Sequence, residues 1–232
     1  RKLYSMKKRL SYSALSSFGK SPNHLLRYWS KKFEPTSAMM LGSLIHKIIL
    51  EPDDFDHDYA VFEGTRRGKV WEGFKTENEG KELVTIKEYD IANYVVEQTK
   101  SNDIFMDLLM RTSETEKEIR WNCKGIDFKG FVDMVGDTFI ADIKTTVDAG
   151  DKFQRDITYN DYKMQAAMYL ECFPNKDFYI IAVEKSGAFN VQVYKFSNNM
   201  LLEGRNKYLN LTEKYKEWDG EKESYYNGII EI

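Results

Sequence analysis

Apolar positions in the first half of the chain recur with the helical period of 3.6 residues. Leu15 and Phe18, for example, share one face of a segment that Ser11 or Ser13 could cap. The pattern predicts helices at 11–18, from Pro22 onward, at 38–50 and, with a break near 101–102, at 86–110. Residues 63–82 are polar and rich in glycine and charge, so they are interpreted as a long loop.

From residue 115 the period changes from 3.6 to 2, which indicates β-strands. Strands are predicted at 115–121, in a run through Phe128, Phe131 and Val135, and at 139–145, with a tight turn at Gly136-Asp137. A helix at 159–173, strands at 177–184 and 189–196 and a helix at 198–217 follow. This order predicts a mixed fold of the α/β (α+β) class.

Composition is that of an ordinary globular protein. The 232 residues suit a single domain over 1–232, with 42% hydrophobic and 31% charged residues. No apolar run is long enough to span a membrane and no signal-peptide pattern is present, so we expect an intracellular protein without a membrane partner. Two cysteines, Cys123 and Cys172, exclude a disulfide framework and any metal site built from four cysteines.

Charge is segregated along the chain. The net charge is −3, yet nine of the 34 Lys/Arg residues and none of the 37 Asp/Glu residues lie in 1–33. The rest of the chain therefore carries 25 basic and 37 acidic residues, or −12. A basic, helical N-terminal segment favours contact with phosphate groups. A solvated face that keeps the protein soluble is the alternative interpretation.

Two carboxylates and a lysine are expected to converge on the predicted sheet. Asp142 and Lys144 share a strand face because side chains alternate along a strand. A turn at 136–137 would bring Asp133 close to Asp142, and such a pair repels itself unless a cation binds it. Carboxylate oxygens suit Mg²⁺ or Mn²⁺, and the lysine could then activate water or stabilise a pentavalent phosphate.

The alternative for an isolated Asp-x-Lys is a plain salt bridge on a solvated strand. Here the flanking residues Ile140, Ala141 and Ile143 predict a half-buried central strand instead. A buried aspartate and lysine need a partner or a function, since burying an unpaired charge is costly.

Four short motifs follow one another along the chain. They are Gly42-x-x-x-His46, Gly130-x-x-Asp133, Asp142-x-Lys144 and Gln165-x-x-x-Tyr169. In this order they resemble the PD-(D/E)XK nuclease superfamily, and within it the RecB-like branch and the exonuclease VIII (RecE-type) nucleases of phages. The resemblance implies a restriction-endonuclease-like core, with a central mixed β-sheet flanked by helices and the catalytic part within 115–197.

The same resemblance implies a role for each motif residue. Asp133, Asp142, the main-chain carbonyl of Ile143 and His46 would be metal ligands, Lys144 the catalytic lysine, and Gln165 and Tyr169 would face the site or the DNA backbone. Gly42 lies one turn before His46 and would let another backbone approach. The first strand should add an acid, either Glu116, which fits slightly better, or Glu118. Each role has an alternative. His46 could be a hydrogen-bonded core histidine, the glutamates could lie on a solvated strand edge, and Gln165 and Tyr169 could serve plain helix packing.

One departure from some RecB-like relatives is informative. Those proteins carry four cysteines around an iron–sulfur cluster, one of them before a proline, where this chain has Ser21-Pro22. We therefore expect Mg²⁺, with Mn²⁺ as a substitute, and no iron–sulfur cluster. The chain also lacks the glycine-rich phosphate loop of an ATP-driven helicase.

The resemblance predicts a Mg²⁺-dependent DNA exonuclease that acts on the ends of linear duplex DNA. It would digest from the 5′ end and leave a 3′ strand for a recombinase or single-strand annealing protein, as a homo-oligomeric ring, in the cytoplasm of a bacterium or a phage-infected host. Arg66, Arg67 and Lys69 could guide a DNA strand, although a solvated loop would look the same. A structure- or sequence-specific endonuclease and a catalytically silent DNA-binding module are the alternatives.

Overall fold

The computed structural model describes residues 9–30 and 34–220. Six of the nine basic residues expected to form a phosphate-contacting segment lie outside these ranges, namely Arg1, Lys2, Lys7, Lys8, Lys31 and Lys32. Within the described ranges, none of the helices combines the length and apolarity that crossing a membrane requires.

The described residues contain ten α-helices and seven β-strands. The helices are α1 (Tyr12–Lys20), α2 (Pro22–Ser30), α3 (Ser37–Leu50), α4 (Phe55–Asp58), α5 (Gly68–Glu77), α6 (Ile86–Lys100), α7 (Asp103–Met110), α8 (Asp151–Tyr159), α9 (Tyr162–Tyr169) and α10 (Asn198–Glu217). The strands are β1 (Tyr59–Phe62), β2 (Glu82–Thr85), β3 (Thr112–Cys123), β4 (Ile126–Gly136), β5 (Phe139–Thr146), β6 (Asp177–Glu184) and β7 (Val191–Lys195). A single 3₁₀ turn, Pro52–Asp54, links α3 to α4.

Most predicted elements are confirmed, including the break between α6 and α7. The loop predicted at 63–82 is wrong, because α5 occupies half of it. Trp71 and Phe74 of α5 pack on Phe62, with ring centroids 5.1 and 4.9 Å away. Their spacing of three residues was the helical signal, and the surrounding glycines and charges obscured it.

The helix predicted at 159–173 is confirmed only as the shorter α9, and α8 before it was not predicted. Two helices, α8 and α9, meet at Asn160-Asp161, and Asp161 has a left-handed backbone with φ 59°. Residues other than glycine rarely adopt this backbone conformation, so sequence patterns do not reveal such a junction.

A mixed five-stranded sheet in the order β3-β4-β5-β6-β7 forms the centre of the fold, which confirms the predicted α/β class. All neighbouring strands are antiparallel except β5 and β6. One face is covered by α1, α2, α8, α9 and α10, and the other by α3, α6 and α7. The short strands β1 and β2 form a separate parallel pair.

Strands β4 and β5 separate after a short stretch of pairing. β5 pairs with β6 over all eight of its residues, but with β4 only at Ile140 and Ala141. Farther along β4, the main chain of Leu10 bonds to Asp127 and Lys129 in place of β5. A cleft therefore opens between β4 and β5, and α1 begins two residues after Leu10, beside this cleft.

Packing of α10 on α9 depends on a glycine. A Cβ atom added to Gly204 would lie 2.0 Å from the main-chain oxygen of Lys163. We expect Gly204→Ala to lower the free energy of unfolding by about 1–3 kcal/mol, because the two helices must move apart. Urea denaturation monitored by circular dichroism measures the change.

Gly73→Ala is the matched control for this substitution. Gly73 lies inside exposed α5, and a Cβ atom added to it would have nothing within 4 Å. This change should raise stability by about 0.5–1 kcal/mol through helix propensity. Equal stability of the Gly204→Ala variant and the wild type would contradict the tight α9–α10 contact.

Candidate active site

Two buried aspartates lie where β4 and β5 part. Asp133 directly precedes Met134 and Asp142 directly follows Ala141, the last pair between the two strands, and the aspartates are 8% and 2% exposed. Oδ2 of Asp133 accepts a hydrogen bond of 2.6 Å from the main-chain N–H of Ile143. A carboxylate thus satisfies a main-chain donor at the point where the strand ladder stops.

Asp142 is contacted by two further polar side chains. Nζ of Lys144 lies 2.5 Å from Oδ2 of Asp142, and the Gln165 amide donates to Oδ1 at 2.8 Å. Gln165 is itself buried on α9. The structure therefore brings together the aspartates, the lysine and the glutamine that the sequence motifs singled out.

Three elements contribute a possible metal-binding group beside these residues. The ligand atoms of His46 on α3, Glu116 on β3 and Asp133 on β4 all lie within 4.8 Å of one another. Nδ1 of His46 is 3.6 Å from Oδ2 of Asp133. One imidazole and two carboxylates, three of the ligands that the resemblance implies, therefore lie together, and Asp142 is not a member of this group.

The glycine that precedes His46 by one turn allows α3 to approach β5. A Cβ atom on Gly42 would lie 2.8 Å from Oγ1 of Thr145, the residue after Lys144. The motif predicts a neighbouring backbone at this glycine, and the approaching group is a side chain instead. The contact holds the helix of His46 against the strand of Asp142.

The structure distinguishes between the two candidate glutamates of β3. Glu116 has φ 47°, so the regular alternation of β3 is interrupted between the pairs made by Thr115 and Lys117. Glu118 is exposed and its carboxylate pairs with Arg120 at 2.8 Å, which lowers its pKa. The two glutamates differ in environment, and Glu116 is the one that reaches His46 and Asp133.

Burial and mutual repulsion shift the pKa values of the possible ligands. Burial raises the pKa of Asp133 well above its ordinary value, and the charge of Asp142 raises it further. Burial also raises the pKa of Glu116. Burial lowers the pKa of His46 to about 4, so its imidazole is neutral at pH 7 and can donate a lone pair.

These residues fit a hard divalent cation. Oδ2 of Asp142 is buried and accepts no hydrogen bond from the described residues, although the Lys144 ammonium lies beside it. Clustered carboxylates with raised pKa values are the groups that a cation stabilises most. Oxygen donors with one neutral imidazole suit Mg²⁺ or Mn²⁺.

Lys144 keeps its proton in this environment. Burial alone would lower the pKa of its ammonium, but the carboxylates of Asp142 and Asp133 outweigh burial and raise it above the ordinary value. In the metal-free protein Lys144 is therefore a fixed positive charge near the aspartates.

Two tyrosines at this site were missed by the sequence reasoning. The ring centroid of Tyr162 lies 5.2 Å from Nζ of Lys144. Tyr12 at the start of α1 also interacts electrostatically with Lys144. The Tyr12 hydroxyl donates to the main-chain oxygen of Asn160. The spacing of Tyr162, Gln165 and Tyr169 along one helix face was the available signal for the first tyrosine.

Tyr169 is packed beneath the site. A Cβ atom on Gly130 would lie 2.6 Å from the Tyr169 ring, so the glycine of the Gly130-x-x-Asp133 motif makes room for this ring. Tyr169 is 6% exposed, and burial raises its pKa to about 12. Tyr169 forms a side-chain hydrogen bond with Gln165, which in turn contacts Asp142. Tyr169 is therefore connected to the site through Gln165.

The three basic residues at the start of α5 have different environments. Arg66 forms an ion pair with both carboxylate oxygens of Glu88, at 2.7 and 3.0 Å, and donates to the main-chain oxygen of Leu83. Arg67 and Lys69 are exposed. Arg66 therefore anchors this segment to α6, and contact with phosphate stays a prediction for all three.

The sequence model of a family described as a PDDEXK-like domain of unknown function (DUF3799) matches residues 11–232. No curated protein matches the chain. A provisionally named exonuclease from Eubacterium rectale is 15% identical, with a TM-score of 0.68 over 97% of this chain and 90% of its own. A phage-related exonuclease from Haemophilus somnus is 16% identical, with a TM-score of 0.39 over 90% of this chain and 93% of its own.

Metal binding should depend on one glutamate of β3 and not on its neighbour. We expect Mn²⁺ to raise the thermal unfolding midpoint. At a concentration 100 times its dissociation constant, Mn²⁺ should add about 2.7 kcal/mol to the free energy of unfolding. Glu116→Gln should weaken Mn²⁺ binding about 10- to 100-fold, because the charged ligand is lost. Isothermal titration calorimetry measures both affinities.

Glu118→Gln provides the control, since it changes the same residue type two positions away on β3 at an exposed site. This variant should bind Mn²⁺ as the wild type does. Equal weakening in the two variants would mean that general negative charge, and not the His46–Glu116–Asp133 group, attracts the ion.

Proposed function

Since the chain belongs to the family of PDDEXK-like domains of unknown function (DUF3799), we propose that it is a divalent-metal-dependent deoxyribonuclease. The observation that carries this proposal is the meeting of two sets of side chains in the cleft between β4 and β5. His46, Glu116 and Asp133 form one set, and the Asp142–Lys144 pair forms the other. A plain structural salt bridge between Asp142 and Lys144 would not need His46, Glu116 and Asp133 beside it.

The residues of the cleft suit phosphodiester hydrolysis. His46, Glu116, Asp133 and Asp142 would hold Mg²⁺ or Mn²⁺, which would activate a water molecule and polarise the phosphate when bound. The Lys144 ammonium supplies a positive charge where negative charge grows on the phosphate oxygens. Gln165 fixes the carboxylate of Asp142 by its hydrogen bond of 2.8 Å. The main-chain carbonyl of Ile143 is the further proposed ligand.

We propose duplex DNA ends as the substrate, with digestion from the 5′ end and release of a 3′ strand. The motif resemblance to RecE-type nucleases is the reason for this choice, and the similar structure from Eubacterium rectale is itself named as an exonuclease. A recombinase or single-strand annealing protein would use the product, and a homo-oligomeric ring would keep the enzyme on its substrate.

Cleavage should require the lysine of the cleft. We expect Lys144→Ala to reduce cleavage of end-labelled linear duplex DNA in Mg²⁺ by about 100- to 1000-fold or more, because a preorganised charge at the phosphate is removed. Binding of the same DNA, measured by fluorescence anisotropy in Ca²⁺, should change little. Lys195→Ala is the control. Lys195 lies on the surface strand β7 and also pairs with an aspartate, with its Nζ 2.7 Å from Oδ2 of Asp177.

Covalently closed circles test the exonuclease part of the proposal. Closed circles should survive under conditions that degrade the linear form. Cutting of circles as fast as linear DNA would favour the endonuclease alternative. DNA binding with no cleavage in Mg²⁺ or Mn²⁺ would favour a catalytically silent binding module.

Arg67 and Lys69 at the start of α5 should contribute to DNA affinity. Replacing both by alanine should weaken binding and lower the slope of log affinity against log salt by about 1.8, since each phosphate contact contributes about 0.9. Anisotropy titrations at several salt concentrations measure this slope.

Lys100→Ala serves as the control for this pair. Lys100 is an exposed lysine at the far end of α6, twelve residues from Glu88 and thus about 18 Å away along the helix. Its loss should leave the slope unchanged. An unchanged slope in the Arg67/Lys69 double variant would support the alternative of a solvated segment.

A further inference from the structure

The Lys144 ammonium and a bound cation would need the same carboxylate oxygen. Nζ of Lys144 lies 2.5 Å from Oδ2 of Asp142, the buried oxygen that accepts no hydrogen bond from the described residues. A cation that binds this oxygen must weaken the ion pair. The ammonium then needs another favourable partner to stay in the cleft, because the Lys144 side chain is only 23% exposed.

We propose that Tyr162 is a positioning residue that retains the Lys144 ammonium in the cleft when Asp142 binds a cation. Nζ of Lys144 lies 5.2 Å from the ring centroid of Tyr162, within the range of a cation–π interaction. The aromatic face attracts the ammonium without competing for metal ligands. This role presupposes the metal site of the proposed function and adds a residue that none of the sequence motifs includes.

A second aromatic ring helps to hold the Tyr162 ring in place. Tyr162 packs against Phe153 of α8, with ring centroids 6.0 Å apart, and Phe153 is 2% exposed. Tyr162 is also the first residue of α9, so the turn between α8 and α9 sets the start of its helix. A ring fixed in this way can hold a charge at a defined position.

The turn before Tyr162 is bound to two other helices. The Tyr12 hydroxyl of α1 donates to the main-chain oxygen of Asn160. The Asp161 carboxylate accepts from Ser16 of α1 at 3.3 Å and pairs with Lys207 of α10. These contacts stabilise the left-handed backbone of Asp161, which costs free energy on its own. The N-terminal helix is thereby connected to the position of Lys144.

A double-mutant cycle separates this positioning role from plain packing. Tyr162→Leu removes the aromatic face, Tyr162→Phe keeps it, and each change is made in the wild type and in Lys144→Ala. We measure the Mn²⁺ dissociation constant by calorimetry, the thermal unfolding midpoint, and kcat and KM for linear duplex DNA. Should the leucine variant not fold, Tyr162→Met takes its place in the cycle.

In the wild-type background, Tyr162→Leu should weaken Mn²⁺ binding by about 2- to 30-fold, because the ammonium then has only Asp142 to hold it. Tyr162→Phe should have the affinity of the wild type. In Lys144→Ala, Tyr162→Leu should leave the Mn²⁺ affinity unchanged, since no ammonium has to be retained. Where DNA is cleaved, Tyr162→Leu should lower kcat and leave KM unchanged.

Equal loss of Mn²⁺ affinity from Tyr162→Leu in both backgrounds would overturn the positioning role and assign Tyr162 to packing. Unchanged affinity in the wild-type background would overturn it as well. Failure of the proposed function looks different: no DNA would be cleaved, while the Mn²⁺ cycle would still show whether Tyr162 and Lys144 are coupled. Absence of Mn²⁺ binding by the wild type would overturn both.

Discussion

Burial of the Asp133 and Asp142 carboxylates is the interaction around which the site is organised. Removing a carboxylate from water costs several kcal/mol unless hydrogen bonds and opposite charges offset it. Asp133 accepts a hydrogen bond from the N–H of Ile143. Asp142 accepts one from the amide of Gln165 and forms an ion pair with the ammonium of Lys144. The raised pKa of Asp133 indicates that the compensation is incomplete.

The fold creates this environment by separating two strands instead of pairing them. If β4 and β5 stayed paired along their length, main-chain bonds would close the space in which the carboxylates meet Gln165 and His46. Two glycines then let large elements come close, Gly42 for α3 and Gly130 for the Tyr169 ring. The site is therefore a property of the whole mixed sheet with its helices, and no single segment contains it.

Sequence reasoning succeeded where a regular period determines position. Alternation along β5 put Asp142 and Lys144 together, and the short turn between β4 and β5 brought Asp133 to them. It could not choose between Glu116 and Glu118, because the left-handed backbone of Glu116 breaks that alternation.

The other misses have related physical causes. Helix α8 was not predicted, and the left-handed Asp161 delays the start of the predicted helix to Tyr162, since no sequence period encodes such a residue. In the segment before α5, charge alone did not tell Arg66, which is bound to Glu88, from exposed Arg67. The contact of Tyr12 with the α8–α9 turn joins residues 148 positions apart, and local patterns carry no information about that distance.

The protonation of Lys144 connects the electrostatics of the site to its chemistry. The same carboxylates that would bind a cation raise the pKa of this lysine, so the metal-free protein holds an ammonium and not a general base. A divalent charge at Asp133 and Asp142 would cancel much of the field that raises this pKa. Lys144 therefore acts as a counter-ion before a cation binds, and its ability to exchange a proton with water depends on how far the ion pair with Asp142 has weakened.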